Sequence, residues 1–465
     1  MYYNSRYNFC FETESCYLLY NAKSGATLKI NGDDSALLSK YLIGSKKKVD
    51  PSLFEDELLR YFINNEFIVD STIDELLEIR ERYWKARGET PLVLTITTTM
   101  NCNLGCYYCY EERTEKKLEF KDTESIIRQL ELIYDNNTKK SLHVDWYGGE
   151  PLLNIDFMEA ASLRIQEFCS ERGINYHSSI ISNGTLWPNE IEPFLKRHKI
   201  RQVQISFDGM KENHNIRRRY RKEFNNGDNN SFDITFSLVE KLLDFVTVDI
   251  RFNIDWKNKN DVFDFLELII EKGWFNKIYP GIFQPARLSS YSERSAFMSK
   301  KQLSIEEFDS IRNKISKRLK GVGKIEESEV PDSFPFPKTH VCAALATDSF
   351  VVGADKLMYR CGLQVGETNR AVGSLEKNTE HNFADNKFWN DFDPTSASSC
   401  SKCSFLPVCF GGCPKKHLEK DKSSLDEQSE YWKNNLGQKV TKYLGLKIIS
   451  ELPIAEKMQF RERYE

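Results

Sequence analysis

The sequence predicts an α/β protein built on a parallel sheet, with a small strand-and-helix unit before it and a cysteine-rich segment after it. Three observations lead there. Strand-like and helix-like segments alternate six times between about residues 91 and 285, the pattern of repeated strand, crossover helix and strand. Ahead of them, residues 1 to about 85 show short alternating strands followed by helical periodicity. Behind them, Pro331, Pro335 and Pro337 mark a break, after which hydrophobic periodicity fades and half of the twelve cysteines gather. A chain of 465 residues is long enough for two or three cores.

Each element has a local justification. FCFETESCYLLYNAKSGATLKI alternates and turns at Asn21 and Ser24-Gly25, which predicts a meander of short strands. Asp33 and Asp34 cap a helix through SALLSKYLIG. A second helix follows Pro51 through FEDELLRYFINNEFIV, with Leu53, Leu58, Leu59 and Phe62 on one stripe. Strands plus two or three helices predict a winged-helix-like unit over 1–85, and the charged amphipathic segment STIDELLEIRERYWKARGE predicts a connecting helix. In the centre, strands are expected at 91–99, 141–149, 175–183, 202–209, 246–254 and 277–285. Helices are expected near 122–135, 155–172, 188–198, 231–244 and 258–272. An open doubly wound sheet and a partial barrel share this alternation, and both place their chemistry at the carboxyl ends of the strands.

Composition excludes several classes. With 65 Lys+Arg against 69 Asp+Glu the formal charge is −4, without the basic excess of a nucleic-acid binder. Apolar runs are broken by acids and too short to span a bilayer, and MYYNSRYNFCFETES lacks the order of a signal peptide, so a cytoplasmic protein with no membrane partner is expected. In a long chain without an export signal, twelve cysteines favour metal or redox chemistry over disulfides.

Cys102-Asn-Leu-Gly-Cys106-Tyr-Tyr-Cys109 directly follows the first expected strand. Structural zinc takes four protein ligands, and no fourth Cys or His stands nearby; three thiolates instead suit a 4Fe–4S cluster with one open iron. With this loop the chain resembles the radical S-adenosylmethionine (SAM) enzymes. The resemblance continues through Gly148-Gly149-Glu150-Pro151 after the second strand, Ser182-Asn183-Gly184-Thr185 after the third and Ser206-Phe207-Asp208-Gly209 after the fourth. It covers about 91–290 and implies a partial (βα)6 TIM-like barrel over 91–300. It also implies that Gly148, Gly149, Glu150 and Pro151 meet the methionine amine, that Ser182, Asn183, Ser206 and Asp208 approach the ribose and carboxylate, and that Tyr108 packs near the adenine, an aromatic there reading equally well as core. One electron from the cluster would then cleave SAM to a 5′-deoxyadenosyl radical that takes hydrogen from an unactivated carbon. Arg217-Arg-Arg219-Tyr-Arg221-Lys222 reads by default as a solvated loop; the sharper reading sets an arginine on the SAM carboxylate or an acidic peptide.

Cys400-x2-Cys403-x5-Cys409-x3-Cys413 resembles the twin-cluster extension called SPASM, although spacing alone also suits a zinc ribbon. Cys342 and Cys361 resemble its earlier pair. The resemblance implies two auxiliary 4Fe–4S clusters over 331–440, the first on Cys342, Cys361 and Cys413 and the second on Cys400, Cys403 and Cys409. No cysteine follows Cys413. Asp426, Ser429 and Glu430 stand where a last ligand is expected, so the second cluster has either an oxygen ligand or an open iron. An open iron on the first cluster would suit a substrate thiol, and His340 is either its occupant or structural. Cys10, Cys16 and Cys169 read as core. The N-terminal unit resembles the peptide-recognition element of ribosomal-peptide maturases, which implies a leader peptide bound as an added strand.

Together these imply a radical SAM peptide maturase that crosslinks its core peptide through a thioether or carbon–carbon bond. A flavodoxin or ferredoxin would supply electrons. The alternatives are an anaerobic sulfatase-type maturase oxidising Cys or Ser and, from another class, a zinc-binding winged-helix adaptor or transcription factor.

Overall fold

The computed structural model describes residues 1–30, 42, 47–134, 139–225, 227, 230–323, 334–376 and 383–451. The chain forms two compact units. Met1–Thr90, Asp332–Cys342 and Asp391–Glu465 make the first, and Pro91–Pro331 with Ala343–Asn390 the second.

Unit 1 opens with β1 (Tyr2–Asn4), β2 (Asn8–Thr13), β3 (Tyr17–Asn21) and β4 (Thr27–Ile30). β2, β3 and β4 pair antiparallel, as the alternation predicts, with Cys10 opposite Leu19. The C-terminal strand Ile448–Glu451 adds to the other side of β2. β5 (Lys48–Val49) and β6 (Ile68–Asp70) flank β1 in a second, three-stranded sheet. The helix expected through SALLSKYLIG falls outside the described residues apart from Leu42.

The next helix, α1 (Asp56–Asn64), is shorter than expected. Glu66 takes a left-handed φ of 61°, and the apolar run beyond it turns into β6. Of the anticipated stripe only Phe62 is buried, while Leu53 and Leu58 are exposed. The expected connector is α2 (Glu75–Glu89), capped by the Asp74 side chain. It packs within unit 1: Tyr83 Oη and Arg87 Nη1 both donate to the Phe392 carbonyl, at 2.7 and 2.9 Å.

Unit 2 carries β7 (Leu92–Thr97), α3 (Phe120–Tyr134), β8 (Ser141–Tyr147), α4 (Ile155–Glu171), β9 (Asn175–Ser182), α5 (Ile191–Arg197) and β10 (Ile200–Phe207). Then come α6 (Lys211–Arg217), α7 (Ser231–Leu242), β11 (Thr247–Ile254), α8 (Asp261–Glu271) and β12 (Ile282–Arg287). The six strands run parallel in sequence order. Among the described strands they do not close: β7 is followed across the sheet by β13 (Phe350–Val352), parallel to it, and by antiparallel β14 (Leu357–Tyr359) and β15 (Gly373–Ser374). The result is a large, mostly parallel sheet.

Period-two alternation sorts the two faces. Leu142, Val144 and Trp146 of β8 are buried in one core with Ile126, Ile127 and Leu130 of α3 and Phe157, Ala161 and Ile165 of α4. The other β8 side chains, His143, Asp145 and Tyr147, point to the opposite face and are half-buried. Parallel sheets are ordinarily apolar on both faces. A polar, solvent-reached inner face beneath the strand ends is a place for a ligand.

Candidate active site

The loop after β7 carries Cys102, Cys106 and Cys109, all free of disulfides. Its shape is fixed by close backbone approach. Gly149 N–H donates to Thr99 O at 3.0 Å and Glu150 N–H to Asn101 O at 2.9 Å, so the Gly148–Pro151 turn lies flush against the start of the loop. Gly148 has φ +140°, and a Cβ there would stand 2.4 Å from Thr99 O; one on Gly149 would stand 2.3 Å from Asn101 O. No larger residue fits either place.

Glu150 is fully buried, and its carboxylate accepts from Leu152 N–H, Ser182 Oγ at 2.9 Å and Asn183 N–H at 2.7 Å. Burial pushes it up to about 7 against those donors. It therefore ties the end of β8 to the end of β9. Pro151 O accepts from Thr98 Oγ1 at 3.0 Å. Asn183 reaches the cluster loop, donating to Asn103 Oδ1 at 2.7 Å and lying 3.7 Å from Cys102 Sγ. Ser206 is half-buried on β10, paired with Arg251 of β11.

Asp208 is fully buried. Burial would raise it, but Arg218 and Arg217 outweigh that and hold it below the ordinary carboxylate range. Tyr108 Oη donates to it at 2.8 Å and accepts from Arg218 Nη1 at 2.9 Å, so this phenol is occupied by a buried ionic network.

The arginine run departs from its default reading as a solvated loop. Arg217 and Arg218 are buried. Every residue from 217 to 221 touches the cluster loop: Arg217 Nη1 donates to Tyr107 Oη at 2.9 Å, and Arg218 donates to Tyr108. Arg219 O accepts from Gly105 N–H at 2.7 Å, Tyr220 pairs with Leu104, and Arg221 Nη1 donates to the Asn101 side chain and to Cys102 O at 2.9 Å. Arg113, not anticipated from the sequence, donates to Cys106 O at 2.8 Å. Also missed is the hydroxyl pair Tyr110–Tyr147, beside buried Glu111. The alternation of His143, Asp145 and Tyr147 was the available signal for Tyr147.

The thiols suit an iron–sulfur cluster. Burial raises all three, Cys109 to about 12, and Cys102 feels the charge of both others, so iron must displace protons to bind. Among the described residues no three His, Cys, Asp or Glu side chains converge on a single-ion site. A cubane takes each thiolate on a different iron and does not ask for that convergence.

In unit 1, Cys400, Cys403 and Cys409 stand within one another's electrostatic reach, and burial pushes Cys403 up to about 12. Cys413 opens the short helix Pro414–Leu418, Cys342 lies exposed in unit 1, and Cys361 belongs to unit 2. Asp426, Ser429 and Glu430 lie on the helix Lys422–Tyr443, whose Gln428 side chain lies against Gly412: a Cβ on that glycine would stand 2.5 Å from Gln428 Oε1. His340 is exposed beside Thr339. Cys10 and Cys169 are buried as expected, whereas Cys16 is half-buried at a hairpin turn because its neighbours Glu14 and Ser15 face solvent.

Residues 96–269 match the family model of the radical SAM superfamily. The cysteine-type anaerobic sulfatase-maturating enzyme of Clostridium perfringens (strain 13 / Type A) is 25% identical over 377 residues, 72% of this chain and 92% of its own. An uncharacterized protein of Methanocaldococcus jannaschii is 34% identical over 133 residues, 28% of this chain and 42% of that relative, so the chain spans under half of that protein. Among solved structures, native anSMEcpe with bound AdoMet has a TM-score of 0.54 at 19% identity, covering 76% of this chain and 100% of that one. Streptococcus suis SuiB bound to precursor peptide SuiA has a TM-score of 0.50 at 17% identity, covering 90% and 97%. These two likenesses speak to the fold. The domain match, the three-thiol loop and the parallel sheet agree: residues 96–269 form a radical SAM domain, and the chain is an enzyme whose cofactors are a 4Fe–4S cluster and SAM.

Proposed function

We propose that this enzyme matures a ribosomal precursor peptide, unit 1 holding the leader while unit 2 oxidatively crosslinks the core peptide through a thioether or carbon–carbon bond. The observation that carries the reading is the cluster loop set at the carboxyl ends of strands whose inner face carries buried and half-buried polar side chains, among them His143, Asp145, His177, Asp249 and Arg251, surroundings that suit a peptide segment beside SAM. Cys102, Cys106 and Cys109 would hold the cluster, which with SAM supplies a 5′-deoxyadenosyl radical. Arg113 and Arg221 pin the carbonyls of two of those cysteines. Gly148 and Gly149 let the second strand end close on the loop, Glu150 locks that end to the third, and Asp208 with Arg218 holds Tyr108.

Cys342, Cys361 and Cys413, and Cys400, Cys403 and Cys409, are read as the sets for two auxiliary clusters in a SPASM extension. Such clusters would supply a sink for the second electron that a crosslink releases. β4 is the terminal strand of its sheet among the described residues, an edge to which a leader strand can add in a winged-helix-like unit. A flavodoxin or ferredoxin is the electron donor of this scheme. A cytoplasmic setting fits an oxygen-sensitive cluster, and no described helix is long and apolar enough to cross a membrane.

A second reading, oxidation of a single Cys or Ser in a protein, is favoured by the 25% identity to the sulfatase-maturating enzyme. Tandem mass spectrometry of co-expressed precursor separates the two. A crosslink removes two hydrogens and joins two residues, whereas an unlinked peptide with one oxidised residue, or an unchanged mass, would refute crosslinking.

A further inference from the structure

The hydroxyl of Tyr7 has no hydrogen-bond partner among the described residues, although the side chain is fully buried in unit 1. A buried donor left unmade is rare and unfavourable, because folding takes away the water that satisfied it. The backbone holds the residue in place: Tyr7 N–H donates to Ser5 Oγ at 3.2 Å, and Tyr7 O accepts from Ala22 N–H at 2.9 Å. Burial raises the phenol, and the charges that reach it are those of Arg6, Glu75, Cys403 and Asp74. Of the acceptors among these, Glu75 is engaged by Ser5 Oγ and Arg6 N–H, and Asp74 caps α2. That leaves the sulfur site around Cys403.

The loop of Cys400, Cys403 and Cys409 is built against the same stretch of chain. Arg6 Nη2 donates to Ser401 O at 2.7 Å, and the rings of Phe9 and Phe405 pack with centres 5.0 Å apart. Lys338 N–H donates to Pro407 O at 2.8 Å and its Nζ to Cys409 O at 2.9 Å. Backbone N–H groups already serve the sulfurs, that of Phe405 at Cys403 and those of Gly411 and Gly412 at Cys409. Amides, a guanidinium and an ammonium thus gather round three thiols that burial alone would keep protonated, surroundings suited to thiolates bound to iron.

We propose that the Tyr7 hydroxyl donates a hydrogen bond to a sulfur of the iron–sulfur cluster held by Cys400, Cys403 and Cys409, and that this bond raises the reduction potential of that cluster. The inference rests on the auxiliary-cluster reading above and adds the residue that tunes it. Reduction brings one electron and no proton into the cluster, and its sulfurs become more negative. A donor aimed at them therefore favours the reduced state over the oxidised one. A cluster so poised takes up the second electron of a crosslink more readily. Tyr7 stands between β1 and β2, so the unit read as holding the leader also completes the electron sink.

The test is a redox titration of reconstituted holoenzyme followed by electron paramagnetic resonance, the cluster being assigned as the signal lost in Cys403→Ala. Tyr7→Phe keeps the ring and removes only the hydroxyl. It is expected to shift the reduction equilibrium of that cluster roughly tenfold toward the oxidised form, about 59 mV lower for a one-electron couple, with iron, sulfide and Tm retained. Tyr20→Phe is the control, since its buried hydroxyl already donates to Pro335 O; it should lower Tm and leave the potential in place. An unchanged potential in Tyr7→Phe, or equal shifts in the two variants, would overturn the proposal. Loss of neither iron nor any signal in Cys403→Ala would instead refute the auxiliary-cluster reading, and the proposal with it.

Discussion

Arg221 spends one guanidinium nitrogen on two acceptors of the cluster loop, the Asn101 side chain and the Cys102 carbonyl. Hydrogen bonds to charged groups contribute about 1.5–3 kcal/mol, and groups that orient metal ligands affect affinity by about 10–100-fold. Arg221→Gln is expected to retain roughly tenfold less iron under chelator challenge, with Arg221→Lys intermediate, as measured by iron and labile sulfide per chain. His214 gives a pH prediction. It is buried between Phe207 and Phe232 with neither ring nitrogen hydrogen-bonded, and burial, with Arg218, lowers it to about 3. The unfolded chain therefore binds a proton that the folded one refuses. Stability from this site is complete above about pH 6.5 and is lost as pH falls toward 3, by roughly 2 kcal/mol at pH 5. His214→Phe should flatten the acid limb of a Tm-against-pH curve relative to native; parallel limbs would contradict this. Neither residue's role was legible beforehand. A run of arginines looks solvated until the fold supplies its partners, and here Asp208 and Asp255 arrive from two different strand ends.

Among elements, the Gly148–Pro151 turn shows how a motif works by shape. A Cβ on Gly149 would meet the Asn101 carbonyl, so the turn or the cluster loop must move. Gly149→Ala is expected to cost about 2–4 kcal/mol. It should lower both Tm and bound iron, where a surface glycine such as Gly173, with nothing within 4 Å of its Cβ, should leave iron unchanged. The six central strands were readable because long apolar runs alternate with amphipathic helices. The sixth begins at Ile282 rather than 277 because Pro280 and Gly281 interrupt the ladder. β13, β14 and β15 escaped notice: two or three residues carry no periodicity, and their place beside β7 is set by tertiary pairing. For the same reason the run ending FIV read as helix until Glu66 broke it.

At the scale of the whole molecule, the cysteines divide along the two units. The three of the cluster loop lie in unit 2, and Cys400, Cys403, Cys409 and Cys413 lie in unit 1 with the first ninety residues. Residues 1–90 hold the later segments of that unit directly: Arg6 Nη2 donates to Ser401 O at 2.7 Å and Tyr20 Oη to Pro335 O. A chain returning from its C-terminus to its N-terminal sheet is invisible to local pattern, whereas the three-thiol loop was plain because its spacing and its place after a strand are both local. That loop is also where the account is most exposed. The decisive measurement is deoxyadenosine formed from SAM under reducing anaerobic conditions, with iron and sulfide counted in the same samples, for native protein and for the Cys102→Ala/Cys106→Ala/Cys109→Ala variant. The account predicts cleavage by native protein alone and a variant poorer by about four irons. Cleavage by the variant, or native protein that carries zinc without sulfide, would contradict it.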